Sequence, residues 1–354
     1  MGKVIVIKEP GQVGFDEFDD RPLAANEARI QTLYSGVSAG TELTAYRGSN
    51  PYLHKFWDEQ LRLFRCTDQT TKTWPMIAFG YEECGQVSEV GAAVSKIKRG
   101  DWVYGTWGHR TETIVTEDFA ATRLLPSNLD PVLGIFSQIT AIALNGILDA
   151  AIRIGETVAV FGLGTPGQIA AQLAKHSGAR VIGVDLSDFR LRLAQQLGAI
   201  DIAINANAGQ VAEQIKSQTS GRGADVCLEV SGSYPALHEA IRSAAYSAKV
   251  VALGFFQGYG EGLYLGEEFH HNRINVVCSQ ISGIDPSLTY RWNRDRLVQT
   301  GIRLQAEGVL NLKPLITHVI PFEQAADAYR IVDTEAENVL QVVLNLSPNG
   351  RRKP

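Results

Sequence analysis

The segment from Glu156 to Asp185, ETVAVFGLGTPGQIAAQLAKHSGARVIGVD, constrains the fold more than any other part of the sequence. It opens with an apolar run at 158–161 that has the length and composition of a strand buried on both faces. Three glycines follow with the spacing G-x-G-x-x-G, and apolar residues then recur with a helical period as far as Gly178. Residues 180–184 (RVIGV) are typical of another strand. The segment therefore predicts a βαβ unit and, with it, a parallel sheet.

The glycine spacing is typical of a loop that binds the phosphates of a dinucleotide. The first glycine permits a tight turn, the second lets a pyrophosphate approach the backbone, and the third lets helix and strand pack closely. Free N–H groups and the positive dipole end of the following helix favour phosphate at this place. The predicted cofactor-binding residues of the loop are Gly162, Leu163, Gly164, Thr165, Pro166 and Gly167.

The end of the second strand indicates which dinucleotide binds. Asp185 lies 21 positions after Gly164, where a carboxylate can accept hydrogen bonds from ribose hydroxyls and would repel the 2′-phosphate of NADP. NAD is therefore the predicted cofactor. Arg190 is expected to stack near the adenine or to form a surface salt bridge, and Gly254, after a later strand, is a further predicted contact.

Length and composition limit the remaining possibilities. A chain of 354 residues exceeds the usual size of a single core, so two domains are expected. Hydrophobic residues at 45% and charged residues at 20% are typical of a soluble globular protein. A net charge of −5 argues against nucleic acid or an anionic membrane as the main partner. The sequence shows neither the apolar core of a secretion signal nor an uninterrupted apolar run of ~18 residues, so we expect a cytoplasmic location.

The first part of the chain predicts a β-rich domain. Strands are expected at 3–8 and 28–35, a glycine-bearing loop at 35–43, and short β segments with glycine turns at 77–105. Many short strands joined by glycine turns suggest a partly open barrel.

Between these strands, the tract from Asn50 to Pro75 predicts a helix. Asn50 can act as N-cap with Pro51 at the first helical position, and Asp58 and Arg62 have the i, i+4 spacing of a helical ion pair. The apolar residues close to one helical stripe are Leu53, Phe56, Trp57, Leu61 and Phe64. Such a helix would either pack on the barrel or form a wall over a substrate pocket.

From about residue 139 the pattern alternates between strands and helices, which predicts the doubly wound parallel α/β class. After the βαβ unit and one further helix, strands are expected at 225–230, 249–254 and 274–279. The later expected elements are an arginine-bearing helix after residue 290, a strand at 315–320, a helix at 322–331 and a strand at 339–346.

The order of the motifs resembles that of the medium-chain dehydrogenase/reductase superfamily, the relatives of alcohol and sorbitol dehydrogenases. The matching motifs are GVSAGTE (36–42), GYE (80–82), G-x-x-V-x-x-x-K-x-G-D-x-V (91–103), GLGTPG (162–167), VDLSDFRLRLAQQLGA (184–199) and LITHVIPFEQAADAY (315–329). The resemblance implies a GroES-like catalytic domain formed by 1–138 and 291–354. It also implies a Rossmann NAD-binding domain at 139–290 and an active site in the cleft that separates the two domains.

The zinc ligands of this superfamily are missing from the matching positions. Zinc-dependent members carry a cysteine in the first loop, a histidine in G-H-E and a cysteine or glutamate near the start of the Rossmann domain, where this chain has Ser38, Tyr81 and Gln138. A hydroxyl, a phenol and a carboxamide are poor Zn²⁺ ligands at neutral pH. The close run of four cysteines that forms the structural zinc lobe is also missing. We therefore predict no metal at either site.

The resemblance implies four catalytic candidates. Tyr81, at the former ligand position, is a candidate for proton exchange with the substrate, although a pKa near ~10 would need to be lowered for that role. Glu82 would orient this phenol or act as the base itself. Thr41 occupies the hydroxyl position that relays protons in zinc-dependent relatives, and Ser38 is the fourth candidate. The alternatives are packing for Tyr81, a salt bridge for Glu82 and a turn for Thr41, and His109 either faces the same cleft or is structural.

These residues favour a zinc-independent, NAD(H)-dependent dehydrogenase or ketoreductase. The substrate would be a small-molecule secondary alcohol or ketone, such as a sugar, a cyclitol or the side chain of a biosynthetic intermediate. The GVSAGTE loop resembles the branch that contains bacteriochlorophyllide and sugar dehydrogenases. The strands VVALGFF and VVCSQI suggest a sheet edge that is available for a homodimer.

Three other functions stay open at this point. A zinc-less NADPH quinone or enoyl reductase would usually show A-x-x-G-G-V-G at the phosphate loop and no acid at the position of Asp185. A redox-neutral enzyme would keep NAD tightly bound through an elimination or epimerisation. A non-catalytic nucleotide-binding protein would bind NAD without turning over any alcohol.

Overall fold

A computed structural model describes residues 1–19, 21–77 and 80–347 of the chain. The chain divides into two compact units, Met1–Gln138 with Ile316–Pro354, and Ile139–Leu315. The predicted Rossmann domain ends at residue 290. The structure instead places residues 291–315 in the same unit as this domain. The reason is local packing: Asn311 exchanges two backbone hydrogen bonds with the side chain of Gln172 (2.8 and 3.3 Å), and the helix before Asn311 is anchored by buried apolar residues.

The helices and strands of the described residues alternate along most of the chain. The helices are α1 (Thr41–Tyr46), α2 (Glu117–Ala121), α3 (Ser137–Ala150), α4 (Thr165–His176), α5 (Asp188–Gln196), α6 (Val211–Ser217), α7 (Tyr234–Ser243), α8 (Arg294–Ala306) and α9 (Ala325–Thr334). The strands are β1 (Gly2–Glu9), β2 (Gln12–Phe18), β3 (Glu27–Val37), β4 (Phe56–Asp58), β5 (Leu63–Arg65), β6 (Met76–Ile77), β7 (Glu83–Val90), β8 (Trp102–Gly105), β9 (Glu112–Thr116), β10 (Thr157–Phe161), β11 (Arg180–Asp185), β12 (Ile202–Asn205), β13 (Ala224–Glu229), β14 (Ala244–Ala252), β15 (Asn275–Cys278), β16 (Ile316–Pro321) and β17 (Gln341–Asn345).

The first unit is β-rich, as predicted. Its larger sheet has the order β16-β17-β3-β7-β8, with β9 also paired to β3, and a smaller sheet has the order β2-β1-β6. The central strand β3 is antiparallel to β17, β7 and β9. It ends at Val37, three residues before α1, so the predicted loop at 35–43 is reduced to 38–40.

One apolar core joins the two ends of the chain in this unit. Ile5 and Ile7 from β1 pack in the same cluster as Tyr329 from α9 and Val342 and Leu344 from β17. All five side chains are fully buried, and each large apolar side chain contributes about 1.5–3 kcal/mol when buried. This core fastens the C-terminal segment to the N-terminal strands, so both segments are needed to build the unit.

The second unit contains the predicted parallel sheet. Its strand order is β12-β11-β10-β13-β14-β15, and all neighbouring pairs are parallel. The chain leaves β10 in one direction through β11 and β12 and returns to its other side with β13. Ligands of open α/β sheets bind at the carboxyl ends of the strands where the order reverses, which is here between β10 and β13.

The predicted helix between Asn50 and Pro75 is wrong. The Asn50 cap is present, because its Oδ1 accepts a hydrogen bond from the Tyr52 amide at 3.1 Å, but only a 3₁₀ turn, Pro51–Leu53, follows. Strands β4 and β5 then form an antiparallel hairpin with Trp57 opposite Phe64, and their ring centroids are 4.8 Å apart. Asp58 pairs with Arg65 at 3.2 Å and not with Arg62. The apolar spacing fits either structure, and cross-strand aromatic packing favours the hairpin.

One helical stretch is apolar and long enough to cross a membrane by length and composition. It covers the 20 residues Pro131–Ala150, a 3₁₀ segment followed by α3, with a mean hydropathy of 1.6 in its most apolar window. Within the described chain, 78% of that window is buried. This burial is typical of a core helix.

Candidate active site and cofactor-binding residues

The phosphate loop between β10 and α4 uses two of its glycines for backbone packing. Gly162 has φ 89°, a conformation that other residues rarely adopt. A Cβ on Gly167 would lie 1.9 Å from the carbonyl oxygen of Gly162, which leaves no room for any side chain. These two positions therefore have the roles that the sequence predicted, a tight turn and close helix–strand packing.

Gly164 differs from these two glycines, because the space beside it is open. It is the N-cap of α4, and a Cβ there would find its nearest neighbours at 3.9 Å or more. Thr165 and Pro166 form the first turn of α4, whose N–H groups would face an anion in that space. The side chain of Leu163 is fully buried, so it could contribute only its backbone to a nucleotide. The loop fits the diphosphate of a dinucleotide.

Asp185 lies at the end of β11 and ties the loop to this strand. Its Oδ2 accepts a hydrogen bond from the Leu163 amide at 2.6 Å, and its Oδ1 accepts one from the Ser187 amide at 2.8 Å. Each carboxylate oxygen can accept a further bond, so Asp185 retains acceptor capacity for ribose hydroxyls. Arg190 lies 3.8 Å from Oδ2 as an ion-pair partner, which is the salt-bridge alternative of the sequence prediction.

Gly254 packs against a neighbouring loop. A Cβ there would lie 2.2 Å from the Gly232 nitrogen and 2.7 Å from Oε2 of Glu229. The fully buried carboxylate of Glu229 also accepts hydrogen bonds from the amides of Ser231 and Gly232 (2.9 and 3.1 Å). Glu229 is the last residue of β13. Its carboxylate therefore fixes the loop that follows β13, at the place where the strand order reverses. Glu229 was not among the residues predicted from the sequence.

Three of the four catalytic candidates meet in the first unit. The hydroxyl of Ser38 forms a short hydrogen bond with the phenol of Tyr81, and the Thr41 side chain is also hydrogen-bonded to that phenol. Burial, and next the charge of Glu82, raises the pKa of Tyr81 above its ordinary value, although the bonds from Ser38 and Thr41 oppose this change. We call Ser38, Thr41 and Tyr81 the hydroxyl cluster. A phenol with a raised pKa stays neutral at neutral pH and can donate a hydrogen bond.

Glu82 is fully buried and directs its carboxyl group towards β17. Its Oε2 accepts a hydrogen bond from Nε2 of Gln341 at 2.7 Å, whereas its Oε1 has no hydrogen-bond partner among the described residues. Burial raises its pKa well above the ordinary value, and the charges of Glu42 and Glu83 add to this effect. The interaction of Glu82 with Tyr81 is therefore through charge and not through an orienting hydrogen bond of the kind that we expected.

A second buried network lies beside the hydroxyl cluster. Glu42 accepts hydrogen bonds from the Ser38 amide (2.9 Å), from Nε2 of His109 (2.6 Å) and from the hydroxyl of Tyr329 (2.6 Å). Nδ1 of His109 is 2.7 Å from the hydroxyl of Ser35. Glu42, His109 and Tyr329 are fully buried. His109 is therefore part of the structure around the hydroxyl cluster and is not a group open to a substrate.

Neither Glu42 nor Tyr329 was among the catalytic residues predicted from the sequence. Glu42 was visible as the last residue of GVSAGTE, and Tyr329 as the last residue of LITHVIPFEQAADAY, but 287 positions separate them. A contact between such distant residues has no local signal in the sequence.

Comparison with known proteins identifies the family. The sequence profile of a family described as "Zinc-binding dehydrogenase" matches residues 167–293. A D-guloside 3-dehydrogenase of Escherichia coli strain K12 is 32% identical over 350 residues, which cover 96% of this chain and 99% of that protein. The chain belongs to the medium-chain dehydrogenase/reductase superfamily. The predicted resemblance is thereby confirmed, and the superfamily assignment makes the chain an oxidoreductase.

Other members of the superfamily share the whole architecture. A probable D-xylulose reductase A of Emericella nidulans is 26% identical, with 90% of each chain covered. The crystal structure of galactitol-1-phosphate dehydrogenase from Escherichia coli superposes with a TM-score of 0.76 at 21% identity, covering 97% of this chain and 99% of that one. The predicted fold class, a GroES-like β-rich domain with a Rossmann domain, is confirmed.

The two kinds of glycine in the phosphate loop should separate folding from nucleotide binding. Gly164→Ala should leave the melting temperature within about 2 °C of wild type and weaken NADH binding at least about tenfold, because the methyl group fills open space beside the N-terminus of α4. Gly167→Ala should lower stability by about 1–3 kcal/mol or more, because its Cβ meets a backbone oxygen. Thermal unfolding and NADH fluorescence titration measure both effects. Equal loss of stability in the two variants would contradict this assignment of the glycines.

The buried ionisable groups predict a stability that falls as the pH rises. Burial alone would lower the pKa of His109, but the charge and hydrogen bond of Glu42 and the charge of Glu83 raise it overall. The stabilisation from protonated His109 is complete below its ordinary pKa of ~6.5 and is lost as the pH rises through the raised value. The raised pKa of Glu82 also makes the protein less stable as the pH rises, and this loss begins above the ordinary carboxyl pKa of ~4.3.

Glu82→Gln should therefore gain stability relative to wild type as the pH increases, because the amide stays neutral. Melting temperatures measured from pH 5 to pH 9 check this expectation, with the exposed Glu59→Gln as the control that keeps the wild-type dependence. A constant difference between Glu82→Gln and wild type across this range would refute the raised pKa of Glu82.

Proposed function

We propose that the chain is a zinc-independent, NAD(H)-dependent oxidoreductase that interconverts a secondary alcohol and a ketone on a sugar, a cyclitol or a related biosynthetic intermediate. The observation that carries this proposal is the hydroxyl cluster, in which Ser38 and Tyr81 stand where zinc-dependent relatives place metal ligands. The open phosphate loop at Gly164 supports the cofactor part of the proposal.

The hydroxyl cluster suits the proton-transfer half of such a reaction. In the direction of ketone reduction, the neutral phenol of Tyr81 donates a hydrogen bond to the carbonyl oxygen and then its proton as that oxygen gains negative charge. Hydrogen bonds from Ser38 and Thr41 stabilise the phenolate that remains. In the direction of alcohol oxidation, Tyr81 would accept the proton only as a phenolate, which its raised pKa disfavours, so the cluster favours ketone reduction. Glu82, whose Oε1 has no hydrogen-bond partner in the described part of the chain, is the candidate that adjusts the charge around this phenol.

The donor atoms at the former ligand positions do not fit a zinc ion. The oxygens of Ser38 and Tyr81 belong to a hydroxyl and a phenol that are hydrogen-bonded to each other, and both groups are poor Zn²⁺ ligands at neutral pH. Gln138, the third position, offers a neutral amide. Among the described residues, three His, Cys, Asp or Glu donor atoms come within 4.8 Å of one another only at His238, Glu267 and Glu268, which belong to the other unit.

The second unit would hold the cofactor. Its loop from Gly162 to Gly167 would contact the diphosphate, and Asp185 would accept hydrogen bonds from the adenosine ribose. NAD⁺ supplies a hydride acceptor at the nicotinamide C4 when it is bound. The carboxylate of Asp185 supports NAD over NADP by repelling a 2′-phosphate.

The names of the relatives favour a carbohydrate-like substrate. The E. coli relative is named for oxidation of a D-guloside at position 3, and the fungal relative is named for D-xylulose. Both names describe a polyhydroxylated small molecule with a secondary hydroxyl or a ketone. We extend this substrate class to the present chain.

The remaining parts of the proposal concern partners and location. A net charge of −5 favours a small-molecule substrate over nucleic acid or an anionic membrane, and we propose a cytoplasmic enzyme.

Strand β15 is at the edge of its sheet, and Val276 on it is 41% exposed. This edge is where we propose that a homodimer forms.

Tyr81→Phe should abolish most of the activity while leaving the cofactor site intact. We expect kcat to fall at least about 100-fold, or ~2.7 kcal/mol of barrier, with NADH affinity unchanged, because the phenol is the proposed proton donor. The measurement is turnover of a panel of sugars, cyclitols and glycosides with NAD⁺ and with NADP⁺. Tyr34→Phe, a partly buried tyrosine of β3 in the same unit, is the matched control.

Elemental analysis of the active wild-type enzyme tests the zinc part separately. We expect full activity without stoichiometric zinc and no loss on treatment with a chelator. One zinc per chain together with chelator-sensitive activity would refute zinc independence. A Tyr81→Phe variant within about threefold of wild type would refute the role of the phenol.

A further inference from the structure

We propose that Glu42 is the positioning residue of the hydroxyl cluster, holding the backbone of Ser38 so that its hydroxyl meets Tyr81. This inference rests on the proposed function, because it concerns the geometry of the same cluster. It adds a residue that does not touch the substrate and acts through Ser38.

The two oxygens of the Glu42 carboxylate accept hydrogen bonds from different partners. Oε1 accepts the hydrogen bond of the Ser38 amide at 2.9 Å. Oε2 accepts the hydrogen bonds of His109 and Tyr329, both at 2.6 Å. The side chains of His109 and Tyr329, which come from other segments, thus fix one oxygen of the carboxylate. Through its other oxygen, the fixed carboxylate holds Ser38.

The local backbone explains why Ser38 needs this support. Ser38 follows the last residue of β3, and α1 begins at Thr41 after the N-cap Gly40, which has no side chain that could cap the helix. The segment 38–40 therefore lies outside both the sheet ladder and the helix. The Glu42 carboxylate accepts a hydrogen bond from the amide of Ser38, four positions earlier in the chain. This bond replaces the missing restraint and fixes Ser38 before the helix and Thr41 at its start.

The donors to Oε2 are themselves well anchored. His109 is held at its other ring nitrogen by the Ser35 hydroxyl at 2.7 Å, and Tyr329 belongs to the apolar core that joins the chain ends. All of these side chains are fully buried. Water therefore does not compete for the carboxylate, and charge-assisted hydrogen bonds of this kind are short and directional. The position of the Ser38 amide is set by the fold and not by solvent.

The test compares two buried carboxylates of the same unit. Glu42→Gln replaces the acceptor of the Ser38 amide by a neutral amide of the same size. Glu83→Gln is the matched control, because Glu83 is also fully buried and accepts a backbone hydrogen bond, from Trp107 at 2.7 Å, but has no bond to Ser38. The measurements are kcat and KM for the best alcohol of the panel, NADH affinity, and melting temperature, all on the full chain.

We expect Glu42→Gln to lower kcat at least about 30-fold with KM and NADH affinity within about threefold of wild type. Glu83→Gln should lower the melting temperature by a similar amount and leave kcat within about threefold. A purely structural role of Glu42 would lower stability in both variants without this difference in kcat. The inference is overturned if Glu42→Gln keeps kcat within threefold or if the two variants lose kcat equally.

A second variant covers the case in which Glu42→Gln does not fold. Glu42→Asp keeps the charge but withdraws it by one methylene from Ser38, so kcat should again fall with KM unchanged. Failure of both Glu42 variants to fold while Glu83→Gln folds would assign Glu42 to stability alone and overturn the inference. Wild-type enzyme without turnover of any substrate would refute the proposed function first, whereas turnover that survives in Glu42→Gln would refute only the role of Glu42.

Discussion

The hydrogen bond between Tyr329 and Glu42 joins two parts of the first unit that lie 287 positions apart in the sequence. A carboxylate without exposure is costly unless its lone pairs are satisfied, and Glu42 meets this condition only when α9 and the His109 loop are both in place. The geometry around Ser38 therefore depends on the complete unit. An assembly that lacks the C-terminal segment would leave the Glu42 carboxylate short of a donor and β1 without part of its apolar core.

The same dependence explains why sequence reasoning succeeded for one unit more fully than for the other. The βαβ unit consists of neighbours in the sequence, and each of its parts has a local signature: an apolar strand, a fixed glycine spacing and a terminal acid. Gly162 and Gly167 have the predicted roles because their constraints are backbone constraints. The Glu42 network has no such signature, since its partners are brought together only by the tertiary fold, and Ser38, Thr41 and Tyr81 were found through a family resemblance and not through local physics.

The hairpin of β4 and β5 shows the limit of periodicity in a short segment. Phe56, Trp57 and Phe64 fit a helical stripe when counted along the chain, yet they also fit two strands in which Trp57 and Phe64 face each other. Only the contacts across the hairpin decide between these structures. The N-cap at Asn50 was predicted correctly because it involves residues two positions apart. The helix was predicted wrongly because no local pattern distinguishes it from two strands joined by a turn near Arg62.

The buried ionisable groups around the hydroxyl cluster favour protonated side chains. Burial and neighbouring negative charges raise the pKa values of Glu82 and Tyr81. A phenol whose pKa is raised stays protonated at neutral pH, so the role that we propose for Tyr81 is donation of its proton to a developing alkoxide, which is the stronger base. The raised pKa of His109 favours a positively charged ring beside the Glu42 carboxylate, to which its Nε2 is hydrogen-bonded at 2.6 Å. In the enzyme that we propose, two tasks are thus separate: His109 balances the negative charge of Glu42, and the hydroxyl cluster supplies the proton.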